Sequence, residues 1–117
     1  MTVERPNGVA VLTARLDEAG ATLDAAAGSA SLCTLSRAGV PMPGIKYPEG
    51  AWSALREVAR EVRSGGDVCA SAQAVRQRWS DDLALHEQRG SGPDWIAYLT
   101  GGVDALDGLL AEACSSN

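Results

Sequence analysis

Apolar residues recur along this chain at alternating spacings of three and four. Val9, Leu12, Leu16, Ala19, Leu23, Ala26, Ala30 and Cys33 form the first such series, and all fall on one stripe of a helix. Asn7 is placed to cap it. Gly20 and Gly28 each cost about 1 kcal/mol relative to Ala, and Gly39 and Pro41 stop it. The pattern predicts a helix over about 8–37, with a break near Gly28 and Ser29 as the alternative.

A second helix is predicted over about 49–64. Trp52, Leu55, Ala59 and Val62, helped by Val58, form its apolar face, and Gly65–Gly66 ends it. The third is predicted over about 67–89, capped by Asp67, with Val68, Ala72, Val75, Trp79, Leu83 and His86 on one side and Gly90 as its stop. The fourth, over about 93–114, carries two adjacent stripes. One is Ile96, Leu99, Val103, Leu106, Leu110 and Ala113; the other is Trp95, Tyr98, Gly102, Ala105 and Leu109. So wide an apolar arc places this helix at the centre of a bundle or against a partner, and Gly101–Gly102 is a point where it could be interrupted. No strand pattern of comparable strength occurs. Short turns between helices two, three and four predict antiparallel neighbours. The expected fold is all-α: one domain spanning 1–117, an antiparallel four-helix bundle or a close relative.

The residues between helices one and two break this regularity. Residues 39–50 hold three prolines and three glycines, yet also Val40, Met42, Ile45 and Tyr47. Proline removes a donor and pushes the residue before it toward extended backbone, so the segment reads as a stiff, ordered loop. Its apolar side chains need a surface to dock on: the bundle's own end, or another protein.

Composition narrows the function. The chain has 117 residues, 45% hydrophobic and 21% charged, which describes a globular domain. Its formal net charge of −5 argues against nucleic acid as a partner. No apolar run approaches the roughly 20 residues of a membrane span, and no signal-peptide pattern opens the chain. Cys33, Cys69 and Cys114 are too widely spaced for a zinc motif and odd in number. They read as free thiols in a reducing cytoplasm.

Chemistry-bearing groups are sparse. His86 is the sole histidine and lies one helical turn after Asp82, a pairing that could orient an imidazole. Cys69 sits at the start of helix three, where the helix dipole acidifies a thiol, but His86 is more than four turns away along the same helix. No metal-ligand constellation, phosphate loop or nucleophile elbow is present, and the sequence assigns no catalytic residue, metal or cofactor. The stretch 57–78 has the outline of a helix-turn-helix, with Gln73, Arg76, Gln77 and Arg78 as candidate readers, but Asp67, Asp81 and Asp82 flank them.

These observations point to a non-catalytic helical protein that works by protein–protein association: most simply an accessory or stabilising subunit of a larger enzyme, such as a biosynthetic one, in a hetero-oligomer, or else a self-associating bundle that forms a homodimer. Its expected partner-binding residues are Val40, Met42, Ile45, Tyr47, Trp95 and Tyr98. Two rival readings stay open. One is a small-molecule binder or minor enzyme with an inter-helix pocket built from Trp52, Trp79, His86 and Asp82. The other is a DNA-binding regulator.

Overall fold

The computed structural model describes residues 2–28 and 43–116. They form four helices, α1 (Gly8–Ala27), α2 (Pro43–Arg63), α3 (Val68–Arg89) and α4 (Pro93–Ala113), flanked by strands β1 (Thr2–Glu4) and β2 (Cys114–Ser116). The helices pack as a four-helix bundle with α4 at its centre, in contact with the other three. Most of its wide apolar arc is therefore consumed within the chain, while Trp95 at its start stays exposed. Leu106, Leu109, Val58, Val68 and Val75 are the largest fully buried side chains besides Cys69.

Helix α1 is shorter than its apolar stripe suggests. It ends at Ala27, and Gly28 takes φ 61°, a left-handed value that glycine adopts without a Cβ penalty. Ala30 and Cys33 lie outside the described residues. The buried series starts at Val11 and Leu12, while Val9 and Ala26 are exposed. Asn7 occupies the N-cap position but makes no side-chain capping bond.

The expected loop over residues 39–50 is helical from Pro43 onward. Val40 and Met42 lie outside the described residues. Proline at the first helical position loses nothing, since that N–H has no helical partner. Pro48 does leave the Gly44 carbonyl without its helical donor. That carbonyl belongs to an exposed glycine with open space beside it, where water can take the bond. In return Ile45 and Pro48 are buried, and a buried Ile side chain contributes about 1.5–3 kcal/mol.

The same turns bring α2 onto α4 at backbone contact. A Cβ on Gly50 would overlap the Tyr98 carbonyl, and a Cβ on Gly101 would overlap the Tyr47 carbonyl. Gly102, next along, faces α3, where a Cβ would overlap the Trp79 ring. The Gly101–Gly102 pair does not interrupt α4; it lets two neighbours approach on two sides.

Helices α3 and α4 run antiparallel. Pairings of Cys69 with Cys114, Arg76 with Asp107, Trp79 with Gly102 and His86 with Trp95 step in opposite directions along the two. The first of these is covalent. Cys69 and Cys114 form a disulfide that closes a sequence separation of 45, so the free-thiol expectation fails for both. Antiparallel packing sets the start of α3 beside the end of α4, a proximity that sequence spacing does not show. The helix boundaries there are otherwise as patterned: Asp67 accepts the Ala70 N–H at 2.9 Å, and Gly90 adopts the left-handed conformation that ends α3. The strands, with no signature in the apolar pattern, pair antiparallel with Val3 opposite Ser115.

Two outcomes test this packing. Gly101→Ala should lower Tm by roughly 10 °C or more, because overpacking against backbone costs about 3 kcal/mol. Gly44→Ala, in open space, should leave Tm unchanged or raise it slightly. Replacing both Cys69 and Cys114 by Ala should cost about 4 kcal/mol of unfolding free energy on the chain-entropy model for this loop. Thermal unfolding of the wild type and the glycine variants measures the Tm shifts, and urea denaturation of the oxidised wild type and the double cysteine variant measures the free-energy loss.

Candidate functional site

The antiparallel register of α3 and α4 assembles four rings from two helices. Trp79 lies at the inner end. It is buried, its indole N–H donates to Glu57 Oε1 of α2 at 3.2 Å, and its ring covers Gly102. Tyr98 packs on it with ring centroids 5.1 Å apart. Trp95 meets Tyr98 edge to face at 6.3 Å, and its own face stacks on His86 at 5.1 Å with an interplanar angle of 11°. These are the spacings at which aromatic pairs attract beyond simple burial. His86 Nδ1 lies 2.7 Å from Ser91 Oγ in the following turn. The ladder thus runs from the core to the surface, where Trp95 remains 56% exposed.

Four of the singled-out residues, Trp79, His86, Trp95 and Tyr98, therefore come together. The other described ones, Trp52, Asp82, Ile45 and Tyr47, do not join them. Trp52 packs against Gly20 of α1, with the Arg56 guanidinium 4.5 Å from its ring centre. Asp82 is exposed, and the hydrogen bond of the His86 ring goes to Ser91. Ile45 is buried in the first turns of α2. Tyr47 is 41% exposed and its hydroxyl donates to Asp104 Oδ2 at 2.5 Å. That hydrogen bond, then partial burial, then the carboxylate's charge raise the phenol's pKa above its ordinary value, so Tyr47 is a donor and not an acid.

A cavity of about 180 Å³ lies between α1, α2 and α4, lined by Arg15, Thr22, Tyr47, Pro48, Leu55 and Ala105 among others. Two of its polar groups are already engaged, Arg15 with Glu112 at 2.6 Å and Tyr47 with Asp104. Among the described residues, no cluster of three His, Cys, Asp or Glu side chains could hold a metal ion.

The candidate DNA-reading face of α3 is tied to its neighbours. Arg76 pairs with Asp107 of α4, and Arg78 with Glu57 and Glu61 of α2 at 3.2 and 3.7 Å. Gln77 donates to Asp81 at 2.9 Å, and Gln73 also has a partner. A reader of the major groove needs such groups free for bases and phosphates.

Sequence reasoning missed Ser91 and Glu57, which hold His86 and Trp79 in place. Glu57 is on the polar face of α2 and gives no signal until α2 and α3 are docked. Ser91 stands in a Ser-Gly-Pro-Asp turn, where its type alone is generic.

Fold and surface define this chain as a disulfide-linked helical bundle with an aromatic ladder between two antiparallel helices. No family model, curated protein or solved structure matches the chain.

The ion pairing of α3 has a direct consequence. At 50 mM salt, where phosphate contacts are strongest, the wild type should produce no mobility shift with duplex DNA. A salt-sensitive shift abolished by Arg76→Ala with Arg78→Ala would overturn this reading.

Proposed function

We propose that this protein acts by association with another protein, as an accessory or stabilising subunit, and that Trp95 is the anchor of the contact. The observation that carries this reading is the presentation of Trp95. A large apolar ring is held outside the core, stacked on His86 and braced edge-on by Tyr98. Fixing the indole before binding removes most of the ordering cost of an interface side chain. Tryptophan is also among the residue types that dominate interface energies. Tyr98 belongs to the brace rather than to the exposed tip, and Ile45 to the bundle's own core.

The small-molecule reading loses support because Trp52 and Asp82 stand apart from Trp79 and His86. The DNA reading loses support from the ion pairs of Arg76 and Arg78. No described helix is long and apolar enough to cross a membrane. The Cys69–Cys114 disulfide favours an oxidising compartment over the reducing cytoplasm expected for free thiols.

Tagged protein purified from its native host, with mass spectrometry and light scattering on the eluted species, tests the proposal. The wild type should carry a stoichiometric second protein. Trp95→Ser should lose it while keeping the wild-type circular dichroism spectrum, because that side chain contributes little to the core. A partner retained in full by Trp95→Ser, or a wild type that elutes alone, would contradict the proposal.

A further inference from the structure

The aromatic ladder ends in a ring that is covered on one side. Trp95 lies face to face on His86 and meets Tyr98 only edge to face, and 56% of it is exposed, which leaves the other face of the indole to solvent. Elsewhere the chain supplies what such a face attracts. At Trp52 the Arg56 guanidinium stands 4.5 Å from the ring centre, drawn by the negative face of the π-system. Among the described residues no cation stands over Trp95.

The charges at this end of the α3–α4 hairpin are unbalanced as well. Elsewhere in the bundle Glu49, Glu57, Glu61, Asp107 and Glu112 each pair with an arginine or lysine. Asp82 and Glu87 are exposed and form no ion pair among the described residues. Asp82 is not bonded to His86 but stands one helical turn before it, about 6 Å along the axis, and Glu87 follows His86 directly. Asp94, beside Trp95 in the chain, adds a further acid, and Arg89 is the one arginine between Asp82 and Trp95.

Given Trp95 as the anchor of a protein contact, the reading on which this rests, we infer that the surface docks a basic segment of the partner: an arginine lays its guanidinium on the open face of Trp95, and Asp82 and Glu87 attract its charge.

Arginine suits both features at once. Its planar, weakly hydrated guanidinium stacks on an aromatic face while its edge N–H groups stay free to donate to carboxylates. The indole is already held by His86 and Tyr98, so the stack forms without ordering the ring. Partners that carry phosphate, whether nucleic acid or an anionic membrane, are repelled by the same acids. A second copy docked on this patch about a two-fold axis would bring Asp82 and Glu87 of one copy toward those of the other, like charge against like.

Titration of the oxidised, full-length protein with an acetylated and amidated Gly-Arg-Gly-Arg-Gly peptide tests the contact, read by NMR. The Trp95 indole N–H resonance should shift at millimolar peptide, and those of Trp52 and Trp79 should not. The same peptide with citrulline for arginine keeps the shape and loses the charge. It should bind about fivefold more weakly or worse, the size of an exposed cation–π contact. Trp95→Ser should weaken binding by a similar factor, read from the backbone amides around Glu87. Asp82→Asn with Glu87→Gln should weaken it about fivefold at low ionic strength and less at high salt. These side chains are exposed, so the circular dichroism spectra should match the wild type. An unmoved Trp95 indole, or equal binding by the citrulline peptide or by Trp95→Ser, would overturn the proposal. In the complex isolated from the native host, the double carboxylate variant should bind the partner more weakly and with a smaller salt dependence. A partner lost by Trp95→Ser but held unchanged by that variant would keep the anchor and refute the basic segment. A wild type with no partner, or a partner that Trp95→Ser keeps, would refute both.

Discussion

Glycine at position 50 on α2 and at position 101 on α4 lets two helix backbones touch, each against a tyrosine carbonyl of the other. Glycine inside a helix costs about 1 kcal/mol relative to Ala, so both are expensive unless the contact returns more. The return is close packing: dispersion falls steeply with any gap, and a backbone-to-backbone approach fills space that side chains would otherwise hold apart. Setting α2 this close to α4 also fixes the start of α2. Ile45 and Pro48 become core residues, and the chain stays helical from Pro43 despite the proline inside it.

From that crossing the other arrangements follow. Gly102 lies beside Gly101 and gives α4 a second flat face, which receives the Trp79 ring of α3. One helix thus serves two neighbours through adjacent residues. The α3–α4 pair is then secured at both ends by different means. At one end the disulfide joins Cys69 to Cys114; at the other, stacked His86 and Trp95 reach the surface. The covalent end carries the strands, and the aromatic end presents the exposed indole. Structural fastening and surface chemistry are separated along a single helix pair.

Much of the architecture was legible in the apolar spacing. The faces of α3 and α4, the Asp67 cap and the stops at Gly65 and Gly90 rest on local rules, and local rules describe them well. What was not legible depends on partners distant in sequence. Residues 43–50 read as loop because Pro48 forbids one helical bond, yet the compensation comes from α4. The cysteines read as free thiols because their pairing needs the antiparallel register. Strands β1 and β2 are too short to show alternation. At the candidate site, Trp79, His86, Trp95 and Tyr98 were recognisable by residue type, but the spacing within each helix could not show that they form a ladder. Nor could it show that Trp52 and Asp82 stand apart.

The most direct test of the glycine crossing is a solution NMR measurement of contacts between Hα protons of α2 and α4. The account predicts nuclear Overhauser effects from Gly101 Hα to Tyr47 Hα and from Gly50 Hα to Tyr98 Hα, since only backbones in contact bring those protons together. Helical chemical shifts throughout both segments, with neither cross-peak present, would show that side chains hold α2 and α4 apart, and would contradict the account.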